Sequence, residues 1–142
     1  MATTFSHLVY VSRANVPANS AEELAICLDA RIYNRGNGIT GILHREDDWF
    51  AQYIEGPRTA LRAVFFRIRK DWRHSHIDVL TRGENEKRRF QDCDMGFSGA
   101  DEIRFDEFQR LAGRPPRPHD AAVEDLITFF EQIRRGVDVN AE

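Results

Sequence analysis

The sequence predicts an α+β domain of ferredoxin-like architecture. It would have a β-α-β-β-α-β core with a fifth strand, two helices on one face of an antiparallel sheet and a C-terminal helical extension on the other. Three observations carry that prediction. Strand-like runs and segments of helical period alternate in this order. A short polar connection, Arg45-Glu46-Asp47-Asp48, joins two of the strand-like runs as a hairpin does. Ten Phe, three Tyr and two Trp supply an aromatic core.

The first strand is Phe5 to Ser12, a run with Phe, Leu, Val, Tyr and Val that stops at Asn15-Val16-Pro17-Ala18-Asn19. Ser20 then caps a helix. Glu22 and Glu23 in its first turn favour the positive end of the helix dipole, and Leu24, Cys27, Leu28 and Arg31-Ile32 follow at helical spacing. This helix stops near Asn34, before Gly36 and Gly38. Ile39 to His44 and Trp49 to Glu55 form the hairpin, closed by Gly56-Pro57. From Thr59, the positions Leu61, Val64, Phe65 and Ile68 mark an amphipathic helix to about Asp71. Ile77 to Leu80 gives the fourth strand and Phe90 to Phe97 the fifth.

Beyond Phe97 the character changes. Ile103, Phe105, Phe108 and Leu111 are scattered apolar residues, and Gly113-Arg114-Pro115-Pro116-Arg117-Pro118 is a stiff connector that cannot continue a helix. Asp120 can cap a last helix with an apolar stripe of Val123, Leu126, Ile127, Phe130 and Ile133, Arg134-Arg135 in its final turn and Gly136 after it. That stripe suits either a cover for the open sheet face or a docking surface for a partner. The chain therefore divides into residues 1–98, a core domain, and 99–142, an extension with a Pro-rich connector and an amphipathic helix.

Composition narrows the function. At 142 residues, 42% hydrophobic and 30% charged, the chain suits one compact domain with a small appendage, without room for a separate catalytic output domain. A net charge of -3 offers no footprint for nucleic acid. No apolar run reaches the ~18 residues a membrane span needs. Met1 to His7 has no signal-peptide character, so a cytoplasmic location is expected. Cys27 and Cys93 read as free reduced thiols, because neither has a CxxC partner or a His cluster nearby. His74 and His76 have no third ligand placed to complete a metal site. No Ser, Cys or His falls in a nucleophile spacing and no phosphate loop follows a strand, so an enzyme is not expected.

What stands out is a set of polar side chains on core elements: Tyr10 on the first strand, Asn34 at the helix end and Gln52 in the third strand. Buried amides and phenols need partners, at a cost of about 1–3 kcal/mol each when they lack them. Composition alone would favour a Gln52 that faces solvent from an edge strand and a Tyr10 with its hydroxyl at the rim.

The run Asn34-Arg35-Gly36-Asn37-Gly38-Ile39-Thr40-Gly41, the segment Phe50-Ala51-Gln52-Tyr53-Ile54-Glu55-Gly56, and Leu8-Val9-Tyr10-Val11-Ser12 and Arg73-His74 around them resemble the BLUF family of blue-light flavin photoreceptors. Arg88-Arg89-Phe90 and Met95 extend the likeness, which covers residues 5 to 98 and places Tyr10 and Gln52 in the core. It implies a flavin, FAD with FMN or riboflavin as alternatives, held beside the sheet between the two helices and sandwiched by Ile26 and Ile68. By the same likeness Asn34 holds the pyrimidine edge, Arg67 and Asp71 contact the ring carbonyl and ribityl chain, and Arg73 and His74 lie near the ribityl or phosphate end.

The photoactive group implied by the resemblance is Tyr10, Gln52 and Met95. Light drives an electron and then a proton from Tyr10 to the flavin, and Gln52 rotates or tautomerises to give a red-shifted state that relaxes in the dark. The signal leaves through the fifth strand. Cys93 stands where many members carry a Trp, which puts any Trp-swinging output mechanism in doubt. Output is expected through a homo-oligomer or a separate protein partner. The rival readings are a ferredoxin-like small-molecule module of acylphosphatase type, an RNA-binding domain of the same topology, and a BLUF-derived protein without a light response.

Overall fold

The structure, a computed structural model, describes residues 4–140, with side chains through residue 136. Met1 to Thr3, part of the stretch read for a leader, lie outside it. The order of elements is β1 (Phe5–Ala14), α1 (Ala21–Asn37), β2 (Thr40–Glu46), β3 (Trp49–Gly56), α2 (Arg58–Arg69), β4 (His74–Asn85), β5 (Gly96–Gly99), α3 (Phe105–Leu111) and α4 (Val123–Asn140). The sheet runs β4-β1-β3-β2-β5. The first four strands pair antiparallel as a ferredoxin-like core requires, and β5 joins β2 in parallel, which makes the sheet mixed rather than antiparallel throughout.

Local chemistry sets the boundaries. The Ser20 hydroxyl accepts from the Glu23 backbone N–H at 3.2 Å, and the Glu23 carboxylate accepts from that of Asn19 at 3.1 Å, so the start of α1 is satisfied from both sides. Gly38, at a left-handed φ of 68°, closes α1 four residues beyond Asn34. The hairpin loop is only Asp47-Asp48, since Glu46 and Trp49 still pair.

One sheet carries two cores. Toward α1 and α2 it buries Leu8, Tyr10, Leu43, Phe50 and Ile54 with Leu61, Val64 and Phe65. On its far face, Val9, Val11, Ile42, Ala51 and Tyr53 meet Phe90, Phe105, Leu126, Phe129, Phe130 and Ile133. The stripe of α4 thus covers the sheet, the first of its two expected uses.

Several elements differ from the sequence reading. The predicted stripe of α1 is largely outside: Leu24, Leu28 and Ile32 are 59, 45 and 76% exposed, and of its members the helix buries Cys27, together with Glu23 and Asn34. The helix is turned so that Ile26, Ala30 and Tyr33 face α2 across a gap. The fifth strand begins at Gly96, not Phe90. Phe90 and Met95 are buried anchors of a loop, and Asp92 in that loop has φ 69°. The scattered residues after Phe97 include a helix, α3, and α4 starts at Val123 rather than at an Asp120 cap and continues through Gly136.

Gly41 is required by close approach. A Cβ there would fall 2.0 Å from the Tyr53 carbonyl oxygen on the paired strand. Gly41→Ala should therefore cost roughly 3 kcal/mol, read as a lower denaturant midpoint at an unchanged slope.

Candidate functional site

A cavity of about 390 Å³ opens between α1 and α2 above the central strands. Tyr10, Ile26, Asn34, Gln52, Arg67, Ile68, Asp71, Arg73 and His74, nine positions singled out in the sequence, all line it. Met95 stands just behind Gln52 on the β5 side. Sequence reasoning missed Asp29, Ala30 and Tyr33 on α1, and Leu43 and Phe50 on β2 and β3. Ile26, Ala30 and Tyr33 recur at steps of four and three, a signal masked by the larger apolar residues of the helix's outer face.

Strand register builds the centre of the site. β1 and β3 place Tyr10 directly opposite Gln52, and both are buried. The Tyr10 hydroxyl donates to Gln52 Oε1, while Gln52 Nε2 donates to the Met95 Sδ at 3.2 Å. Burial raises the Tyr10 pKa far above the usual phenol range, and the Asp71 charge adds to the shift, so the hydroxyl keeps its proton. The thioether is a weak acceptor. Of the two hydrogen bonds that fix the Gln52 amide, the one at its donor end is therefore the easier to exchange.

Asn34 sits buried in the last turns of α1. Its Nδ2 donates to the Asp94 carbonyl at 2.9 Å, and Arg31 Nε reaches the Met95 carbonyl at 3.1 Å. The helix wall thus grips the segment leading into β5, and Asn34 Oδ1 stays available as an acceptor at the cavity. On the opposite wall, the Arg67 guanidinium lies 3.8 Å over the Tyr33 ring, a cation–π contact that joins α2 to α1.

At the α2–β4 turn, Arg73 Nε and Nη2 grip the two Asp71 oxygens at 2.8 and 2.7 Å, and Nη1 reaches Asp29 on α1 at 3.2 Å. Burial pushes the Asp71 carboxyl up, but the Arg73 hydrogen bonds and charge outweigh it and hold the group below its ordinary value. His74 Nε2 meets the Ile68 carbonyl at 2.7 Å and Nδ1 meets the Ser12 hydroxyl at 2.7 Å. A carbonyl only accepts, so its partner assigns the proton to Nε2 and the hydroxyl donates to Nδ1.

Neither cysteine forms a disulfide, and burial pushes the Cys27 thiol up to about 11, which keeps it inert. Cys93 packs toward the far-face core rather than into the cavity. Among the described residues, Glu46, Asp47 and Asp106 bring carboxylate oxygens within 4.8 Å of one another. The Arg104 guanidinium already sits among them, 3.0 Å from Asp47 and 2.9 Å from Asp106. No helix of the described residues is long and apolar enough to cross a membrane.

Fold and site together define a ferredoxin-like domain with a cavity between two helices, bordered by a buried tyrosine–glutamine pair. The chain belongs to the BLUF family, sensors of blue-light using FAD, whose model matches residues 5–96. It is similar in structure to the dark state of the BLUF protein BlrB, with a TM-score of 0.78 and 29% identity over 96% of this chain and 99% of that one. It is also similar to photo-activated BlsA, with a TM-score of 0.80 and 26% identity over 92% and 94%. In sequence it is 35% identical over 78 residues, 55% of its length, to the photoactivated adenylate cyclase subunit beta of Euglena gracilis. The chain spans 9% of that relative's length.

The lining fits a flavin. Ile26 and Ile68 offer aliphatic surfaces from facing helices, and two buried amides, Asn34 and Gln52, offer the mixed donors and acceptors that a pyrimidine edge requires.

The Asp71–Arg73 fork makes a pH-dependent prediction. Because the folded-state pKa of Asp71 lies below the ordinary 3.8, its stabilisation is complete above that value and is lost as the pH falls through the lowered folded-state pKa. Asp71→Asn should cost about 1 kcal/mol at neutral pH. Denaturant titrations of parent and variant should draw together as the pH is lowered through that folded-state pKa.

Proposed function

We propose that the chain is a blue-light receptor in which Tyr10 is the electron and proton donor and Gln52 is the switch. The observation that carries this is the unbroken line from the Tyr10 hydroxyl through the Gln52 amide to the Met95 sulfur at the cavity floor. A bound flavin supplies the light absorption and, in its excited ring, the acceptor for one electron. Tyr10 would give up that electron and then its hydroxyl proton, with the flavin as the acceptor of both. While the phenol lacks its hydrogen, Gln52 Oε1 has lost its donor and the amide is held only by the weak bond to sulfur. It can then reverse.

When electron and proton return to Tyr10, oxidation states are restored and the amide keeps its new orientation. An amide carries a donor and an acceptor on opposite ends, so its reversal changes which hydrogen bonds reach the ring and gives two stable arrangements of one residue. An added donor at the ring carbonyl lowers the excitation energy and shifts the spectrum to the red. The low dielectric of the site strengthens each of these bonds, and the buried, fully protonated phenol suits a donor that must surrender its proton only after its electron.

Asn34, Arg67, Asp71, Arg73 and His74 are assigned to orienting the flavin, with Ile26 and Ile68 on its two faces. The flavin is taken as FAD, and the mass of the cofactor released on denaturation separates it from FMN and riboflavin. The receptor is taken to act in the cytoplasm without catalytic turnover, through self-association or a separate protein.

The test is the absorption spectrum of flavin-loaded protein before and after blue light. Reversible red-shifting bands are expected in the parent. Gln52→Leu should bind flavin and absorb blue light without the shift, and Tyr10→Phe should abolish the shift and lengthen flavin fluorescence at least about tenfold, equivalent to the loss of a ~1.4 kcal/mol barrier advantage. A full red shift in Gln52→Leu would refute the assignment.

A further inference from the structure

On the sheet face away from the cavity, a second polar chain starts where the first one ends. Met95, which accepts from Gln52, immediately precedes β5, and three residues later Ser98 turns to the far face. The Ser98 hydroxyl lies 2.6 Å from His44 Nδ1, and His44 Nε2 lies 3.0 Å from Glu46 Oε1. The Glu46 carboxylate in turn accepts from the backbone N–H groups of Phe105 at 2.5 Å and Asp106 at 3.2 Å.

Ser98, His44 and Glu46 are at most 2% exposed, so water is not an alternative partner. The carboxylate accepts only, which puts the imidazole proton on Nε2 and leaves Nδ1 to accept from Ser98. Every donor in the chain therefore points toward Glu46. At its other end α3 has no cap of its own: Arg104 makes no side-chain capping bond, and Glu46, on a different strand, satisfies the first two amides of the helix. The His44 ring also packs edge-on against Phe129 of α4 at 4.9 Å, so the same residue touches α4 directly and reaches α3 through Glu46.

We infer that His44 is a positioning residue that couples the orientation of Gln52 to the start of α3. This rests on the reading of Gln52 as the switch. β5 is a four-residue edge strand with glycine at both ends, held on the cavity side by Met95 and on the far side by Ser98. Reversal of Gln52 turns its oxygen toward the Met95 sulfur and abolishes that hydrogen bond. β5 is then free to shift against β2, the Ser98 bond to His44 changes with it, and the amides of Phe105 and Asp106 lose their hold on Glu46. Coupling is reciprocal, so the chain on the far face also sets how long the reversed amide persists.

The experiment uses the full flavin-loaded chain and compares parent, Ser98→Ala and His44→Phe, which keeps an aromatic ring against Phe129. Two quantities are read: hydrogen–deuterium exchange of the Phe105 and Asp106 amides in dark and light, and the rate of dark recovery. In the parent, light should speed that exchange by at least about fivefold. Both variants should keep the red shift, lose the light–dark difference in exchange and change the recovery rate by about fivefold or more. A variant that shifts red and keeps the parental exchange difference overturns the coupling, as does a parent that shifts red with no change at α3. A parent with no red shift refutes the Gln52 reading itself, and the spectrum reports that separately. If His44→Phe fails to fold, Ser98→Ala, which removes one hydroxyl, decides alone.

Discussion

The rest of the molecule depends on one register, the pairing of Tyr10 with Gln52 across β1 and β3. Side chains alternate between sheet faces, so a slip of one residue would send one of the pair to the far face and put a Val or an Ala in its place. Two buried polar groups would then lose their partners. β3 is in turn fixed against β2, because Gly41 lets β2 lie close against Tyr53 and the hairpin turns in only two residues, Asp47 and Asp48. The Tyr10–Gln52 hydrogen bond thus lies in a dry core, framed by the pairing of three strands.

The two faces of that frame use similar devices for different purposes. Buried carboxylates dock loop backbone onto the sheet. Glu55 takes the amides of Arg89 and Phe90 at 2.8 and 2.6 Å and the Thr40 hydroxyl at 3.1 Å, and Glu46 takes those of Phe105 and Asp106. Each carboxylate satisfies N–H groups that would otherwise be unpaired in an apolar layer, and a charge-assisted bond is about twice as strong as a neutral one. Glu23 is matched instead by Arg45 at 2.8 Å, which ties α1 to β2 near the end of the cavity.

The sheet core was legible in the sequence because β1, β2 and β3 alternate or run apolar between clear breakers, whereas the buried Tyr10–Gln52 pair was legible only through the family resemblance, since composition alone favoured a solvent-facing Gln52. The orientation of α1 was not legible. Leu24, Leu28 and Ile32 form the stronger apolar stripe, yet the helix turns its weaker face inward, where Ile26, Ala30 and Tyr33 border a cavity shaped for a ligand rather than for packing. β5 was misplaced because Phe90 and Met95 look like strand residues. They are anchors of a loop whose backbone bonds go to side chains, which no periodicity reveals. The helix α3 escaped because its capping group is not adjacent in sequence.

That absent local cap has a consequence for how the chain is assembled. The helix of residues 105–111 receives its start signal from a strand 59 positions upstream, so local propensity alone cannot nucleate it. Closing that span costs chain entropy before the first helical turn is rewarded. A nascent chain leaving the ribosome in sequence order would present the sheet's apolar far face to water until the final third of the polypeptide had arrived.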